Sequence, residues 1–536
     1  MFLAVPLVIG TMFLSPELTH NTTPATQNGG GGANLLDSPT SDENDPKNDK
    51  DFPDDEIFET TIVEQNWIDK ASSSYAGGRG TKSDPFQISC AEELAFLLYN
   101  NRNIQNYSKN KHFVLTNDIV LNDGYFQEDG TYVDGGDGIL NCWTPIGAFG
   151  NLLFSANFDG NDFSICGMYC SEGYASMFGV AQRAEIKNLK IKKTYVYNLE
   201  SGNCAGFVGL SLDTKIENCI FEGVVKGGDN IALGGIVGQA QYDFSITNCE
   251  SYGSVSGGQQ VAGIVGRVQN LGIIKNCKNF CKIVCSKYYA GGMGGYIGGS
   301  SKTRVESCQN FGIIKGYSSG GVVGSLNTAT IYNCINYETI VGHGSNGGII
   351  GATGHTAKVY NCTNYGNVKI NSNLHIVGGI IGNARGKTTC ANCINYGNVT
   401  SLGLYGGGVC GSVEGGSTVQ NCSNYGEINI RAWIGSVVGR LMEESSIKYC
   451  ANYGKVNKTS STIATKENSN CTIKNCISVF KNGNDEIKEV YAQDFSIFAV
   501  KFKTGEIVLK KLAPTSLYMG QVSREYLVQK GFVICS

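Results

Sequence analysis

The chain has 536 residues, a formal charge of −4, 72 glycines, only 9 prolines and 21 cysteines. The near-balanced charge, with no basic stripe, argues against a nucleic-acid partner, and no stretch is apolar for long enough to make a transmembrane span. Abundant glycine with little proline suits a chain that bends tightly and often.

Residues 1–15 form the first segment. Met1 to Leu14 are almost wholly apolar, too few to cross a bilayer as a helix. They read as the core of a signal peptide, although no Lys or Arg precedes them; the alternative is a buried N-terminal strand. Residues 16–60 are rich in Asn, Thr, Gly, Pro and Asp, with a strongly acidic run from Asp42 to Glu56. Too little apolar content is present to offset the entropy of ordering, so a disordered linker is expected. Residues 61–112 are expected to cap the following domain, with a short helix over Ala91 to Tyr99.

Residues 113–478 carry a repeat. Its anchor is a cysteine, at Cys219, Cys249, Cys277, Cys308, Cys334, Cys362, Cys393, Cys422, Cys450 and Cys476, spaced 26 to 31 residues apart. Three positions earlier stands an apolar residue, from Ile216 to Ile473, with Cys390 in one copy. Asn precedes the anchor in eight of ten copies, and an aromatic follows three positions later in eight. Val or Ile stands six positions after it, as at Val255 and Val368, and a Gly-Gly-Ile-Val-Gly block lies between anchors. A fixed period in this range means a unit that buries its apolar face by stacking on its neighbours. No segment sustains a helical period over three turns, and the unit is shorter than the roughly 40 to 50 residues of a propeller blade. The expected fold is all-β: a parallel β-helix, or solenoid, with coils of about 28 residues and three short strands each. Inward Val and Ile then form ladders, Asn serves left-handed bends and bonds to its copies, and the aromatics stack in a column. Residues 479–536 are expected to cap the last coil, with a short helix over Ser523 to Lys530.

The Gly-Gly-Ile-Val-Gly blocks joined to Asn-Cys-x-Asn-Tyr-Gly-x-Val resemble the GLUG-motif repeats of large secreted and surface proteins of bacteria and anaerobic protists. Upstream, Gly80 to Ile88, Phe113 to Ile119, Trp143 to Gly147 and Phe158 to Asn161 resemble the segment that usually precedes such repeats. The resemblance covers roughly residues 77 to 478. It implies a right-handed β-helix on an exported protein, located outside the cell or on its surface, and no particular activity.

Chemical motifs are sparse. Gly342-His343-Gly344 matches part of a polygalacturonase pattern, but the paired carboxylates that glycoside hydrolysis needs are missing from the repeat strands. Cys390 and Cys393 make a lone Cys-x-x-Cys, whereas a structural zinc site takes a second pair. His343 and His375 fall on adjacent coils. Asp123, Glu128, Asp129, Asp134 and Asp137 cluster in a Gly-rich loop and read as solvated acids rather than a calcium site. Asn361 and Asn421 fit the glycosylation pattern, yet as ladder positions they are expected to be inaccessible. Neither a catalytic residue, a cofactor nor a metal is expected. The cysteine anchors are expected as a structural ladder, reduced rather than bridged.

The leading expectation is a non-enzymatic extracellular scaffold or adhesin that contacts an extracellular protein or glycan through many weak sites. Its candidate binding face is Tyr365, Tyr396, Tyr425 and Tyr453, against the plainer alternative that these rings only pack. The rival readings are a polysaccharide-acting β-helix enzyme, a carbohydrate-binding module, and a fragment or paralogue of a larger surface protein.

Overall fold

Short β-branched runs separated by Asn and Gly fold here as coils of a parallel β-solenoid, about 13 turns of ~29 residues. The computed structural model describes residues 62–481, apart from 200–201, 230–231, 371, 373–374, 432, 458–461 and 469. It also describes strands Ile487–Gln493, Val500–Lys503, Glu506–Leu509 and Leu517–Tyr518. These lie in one of the two units of the chain, Thr60–Ser536. The expected signal segment, the linker and the helix over Ser523 to Lys530 fall outside the described residues.

Three long sheets, of 14, 19 and 24 strands, run through the repeats. The coil anchored by Cys362 is typical. Lys358–Tyr360 belongs to the first sheet, Thr363–Asn364 and Val368–Ile370 to the second, Ile376–Gly378 and Ile381–Ala384 to the third. The second and third sheets thus take two short strands per coil where one was expected. The Tyr-Gly after Asn364 interrupts one and the Gly-Gly pair interrupts the other.

Register is exact where the sequence predicts it. The residue three before each anchor pairs with its copies, as in Ile331–Val359–Cys390–Val419–Ile447. All five are essentially inaccessible to solvent. Each such Val or Ile contributes about 1.5–3 kcal/mol by leaving water, but only when the next coil covers it, which is why no coil can stand alone.

The anchors sit at the corner between the first and second sheets. The residue before each one has left-handed backbone: φ is 54° at Asn248, Asn276, Asn333 and Asn361, 52° at Asn421, and 54° at Ser307 and Tyr449. Asn adopts this conformation at lower cost than other L-residues because its short amide bonds locally. The corner asparagines also bond along the axis: Asn276 Nδ2 donates to Asn248 Oδ1 and Asn392 Nδ2 to Asn361 Oδ1, both at 3.2 Å. They point outward. Asn361 is exposed and Asn421 half-buried, so the expectation that these two are inaccessible is wrong: the corner is convex and the cysteine, not the asparagine, turns inward.

Before the first coils, the helix Ala91–Asn103 extends four residues beyond the expected Tyr99. Its last turn is held because Asn101 is buried and its Nδ2 donates to Leu152 O. Glu93 accepts from both the backbone N–H and the hydroxyl of Ser89, closing the helix start. Leu94, Leu97 and Leu98 join the core with Trp67, whose Nε1 donates to Leu121 O. At the other end, Cys476–Lys481 pairs antiparallel with Ile487–Gln493, which pairs antiparallel with Leu517–Tyr518.

Candidate functional site

The repeated motif builds three side-chain files beside one another. The first is the sulfur file. All ten anchors are buried, and none of the described cysteines is bridged. Each thiol donates to the carbonyl two residues back, as Cys362 Sγ does to Tyr360 O at 3.2 Å. Many also reach the preceding coil, as Cys334 Sγ reaches Val305 O at 3.6 Å. A cysteine suits this corner because it is small, apolar and still a weak donor. Beside the file, burial pushes the thiol of Cys281 up to about 12.

The second file is made of the asparagine that follows most anchors by two positions. Asn279, Asn310, Asn336, Asn364, Asn395, Asn424 and Asn452, two positions after the anchors, are fully buried. Each Nδ2 donates at 2.7 Å to the Oδ1 of the next, from Asn279 to Asn310 and on to Asn452. Its second hydrogen goes to a carbonyl two residues on, as from Asn364 to Gly366 O at 2.8 Å. The Gly-Gly block exists for this file. A Cβ on Gly348 would overlap the Asn364 amide and the Gly379 carbonyl, and one on Gly379 would overlap Asn395. Only a bare backbone lets the amide plane lie against the opposite wall. The sequence places two asparagines around several anchors, and only the second turns inward. The signal that separates them is the fixed offset from the anchor, at which Asn keeps company with a glycine pair from the far wall.

The third file is the aromatic column. Tyr252, Phe280, Phe311, Tyr337, Tyr365, Tyr396, Tyr425 and Tyr453 stack on successive coils with centroids 4.6 to 5.4 Å apart and planes within 19°. The column lies on the outside of the second sheet, immediately beyond the inward asparagines, and not inside the bend. Of the four candidates, Tyr365 is 49% exposed and Tyr396 37%, and Tyr337, at 41%, joins them. Tyr425 and Tyr453 are half-buried. Each interior ring is covered on both faces by its neighbours, so what water meets is a ribbon of ring edges and phenol oxygens. Toward one end, Tyr252 donates to Glu250 Oε2 at 2.6 Å, and Lys278 pairs with Glu250 Oε1 at 2.8 Å. Burial and then the Glu250 bond raise Tyr252 to about 12. Burial disfavours the Glu250 carboxylate, but Lys278 and Tyr252 outweigh it and leave its pKa below the usual 4.5.

The remaining candidates fall elsewhere. His343 is an exposed loop residue; His375 is half-buried, meets Tyr317 edge-on at 5.7 Å, and is lowered by burial and by His343. The acids of the Gly-rich loop serve its turns: Asp129 accepts from Thr131 N, Asp134 from Gly138 N and Asp137 from Ile139 N, while Glu128 pairs with Lys282. A shallow depression of ≈ 460 Å³ on the first sheet is lined by His112, Asn157, Asp159, Glu185 and Lys187 among others. Asp159 is occupied there, accepting from Asn161 N and Asn188 Nδ2 and pairing with Lys187. On the third sheet Glu414 pairs with Arg385 and Arg440, and Arg440 lies over Tyr405.

Residues 229–256 match the GLUG motif. A protein of Evansella cellulosilytica, provisionally described as a Gly-rich membrane protein, is 33% identical over 131 residues. That match takes in 23% of this chain and only 13% of the relative's length. A crystal structure from Bacteroides ovatus, provisionally described as an immunoglobulin A1 protease, aligns with a TM-score of 0.38 and 23% identity over 56% of this chain and 80% of that chain. No described helix is long and apolar enough to cross a membrane.

Proposed function

We propose that this GLUG-motif β-solenoid is a non-enzymatic scaffold of the cell surface or extracellular space, holding an extended polymer through its aromatic column. The observation that carries this is the run of Tyr337, Tyr365 and Tyr396, each more than a third exposed, on consecutive coils at a near-constant spacing. Stacked phenols form a rigid apolar strip with hydroxyls at regular intervals. Little side-chain entropy is lost on contact, and a repetitive target engages several weak sites at once, so avidity replaces a pocket. A surface location agrees with the resemblance of the repeats and with the membrane description of the Evansella relative.

The test is Tyr396→Ala with Tyr425→Ala, probed on immobilised mucin, collagen and pectin. Binding by the column lowers retention well beyond any change in the folded fraction. A role limited to packing lowers thermal stability and leaves retention per folded molecule unchanged.

The second reading, a polysaccharide-acting enzyme, is favoured by one feature. Glu185 and Asp159 stand on adjacent strands of the first sheet at the same depression, and two carboxyls flanking a bond are what glycoside cleavage requires. Pectin turnover by the purified protein that is lost in Glu185→Gln would establish it in place of the scaffold.

A further inference from the structure

The Cys-x-x-Cys of residues 390–393 does not stay alone once the chain is coiled. Cys390 takes the place in the first-sheet ladder held by Val359 on one side and Val419 on the other. Cys410 takes the place in the third-sheet ladder held by Ile381 and Val438. Two apolar positions on different walls have thus become cysteine in the coil anchored by Cys393. Both turn toward the point where the sulfur file passes through Cys393 and Cys422. Cys410 is a neighbour of the Cys390 thiol. The sulfurs of Cys390, Cys393 and Cys422 all lie within 4.8 Å of one another, and Cys390 and Cys422 are 3.9 Å apart. All four residues are buried, none more than 1% exposed. Among the described residues, Cys390, Cys393 and Cys422 are the one group of three or more ligating side chains that converges in this way.

We propose that Cys390, Cys393, Cys410 and Cys422 form a thiolate site for one zinc-class cation inside the solenoid. Four sulfurs each about 2.3 Å from a tetrahedral zinc stand about 3.8 Å from one another, so Cys390, Cys393 and Cys422 need only a small contraction, while the Cys410 thiol must move in from beside Cys390 to close the fourth vertex. Elsewhere the file is a single row, in which a sulfur has neighbours along the axis alone and no closed polyhedron can form. Here the two added cysteines supply ligands across the axis. The surroundings are dry, which suits a closed structural site rather than one that keeps a water ligand. No electrons are transferred: each Zn–S bond replaces an S–H bond, and the proton leaves to solvent. Because the site lies wholly in the core, the ion is taken up as the coils close and acts as a cross-link between them.

The test uses the full chain, refolded with zinc under reducing conditions, dialysed and assayed for metal. One tightly held equivalent per chain is expected. The double variant Cys390→Val with Cys410→Val should hold only background zinc while still folding, because Val is the residue these ladders use elsewhere. Cys249→Ala, in a distant coil, should keep the full equivalent. Cobalt in place of zinc should give the spectrum of a tetrahedral thiolate site in the wild type and lose it in the double variant. Three results overturn the proposal: no stoichiometric metal in the wild type, metal retained by the double variant, or a thiol count in denaturant showing these sulfurs already joined as disulfides.

Discussion

At the scale of single residues, the repeat is decided by backbone sign and by the pairing of buried amides. Tyr449 occupies the left-handed corner position that asparagine holds in most copies, with φ of 54°, and its ring is 46% exposed. Replacing it removes backbone strain and little buried area. Tyr449→Asn should raise stability by about 1 kcal/mol, read as a higher thermal midpoint; an unchanged or lower midpoint would mean the corner is not strained. Asn364→Ala acts the other way. It takes the donor from Asn395 Oδ1 and the acceptor from Asn336 Nδ2 in a dry core. A loss of about 2 kcal/mol is expected, visible as a lower denaturant midpoint. A third residue sets an acid limit. Glu250 titrates below its ordinary 4.5 in the folded chain, so the unfolded state binds its proton first. Its stabilising contribution is complete above that ordinary value and fades as pH falls through the lower folded value. Glu250→Gln should flatten the stability profile in that acid window and lower stability by a constant amount near neutrality, where pH no longer changes the charge of Glu250.

At the scale of elements, the coil was legible in the sequence because its chemistry recurs. The apolar position three before the anchor, the corner asparagine and the order of the Gly-Gly block sufficed for a parallel stack in register. What was not legible depended on direction. The inward position of Asn364 and the outward position of Tyr365 follow by alternation from Cys362, but only once the left-handed corner at Asn361 is known to turn that cysteine inward. The convergence of Cys390 with Cys422 was not legible, since it joins two coils. The terminal elements carry no repeat, so their boundaries rest on local signals alone; the helix runs to Asn103 because a buried contact from Asn101 extends it. At the far end, antiparallel pairing of Ile487–Gln493 on Cys476–Lys481 follows the last parallel pairing of the second sheet. Removing residues 479 to 536 should uncover that edge and promote association. A truncated protein that stays monomeric in light scattering would show that the segment does not cap.

At the scale of the whole molecule, stacking makes a short motif into three parallel files: sulfur, amide and aromatic ring. The first two are turned inward and hold coils together. The third is turned outward and is the same on coil after coil. Its regularity is the property that a repetitive partner could use, and the physical question is whether the phenol edges bind or only pack. Phenylalanine separates the two, because Phe280 and Phe311 already occupy this column and stack at 4.8 Å. The decisive measurement is retention of the triple variant Tyr337→Phe, Tyr365→Phe and Tyr396→Phe on whichever of mucin, collagen or pectin the wild type binds, with thermal stability recorded alongside. A binding face predicts a several-fold loss of retention at an unchanged thermal midpoint. Full retention by the triple variant, or no retention of the wild type on any of the three, would contradict it.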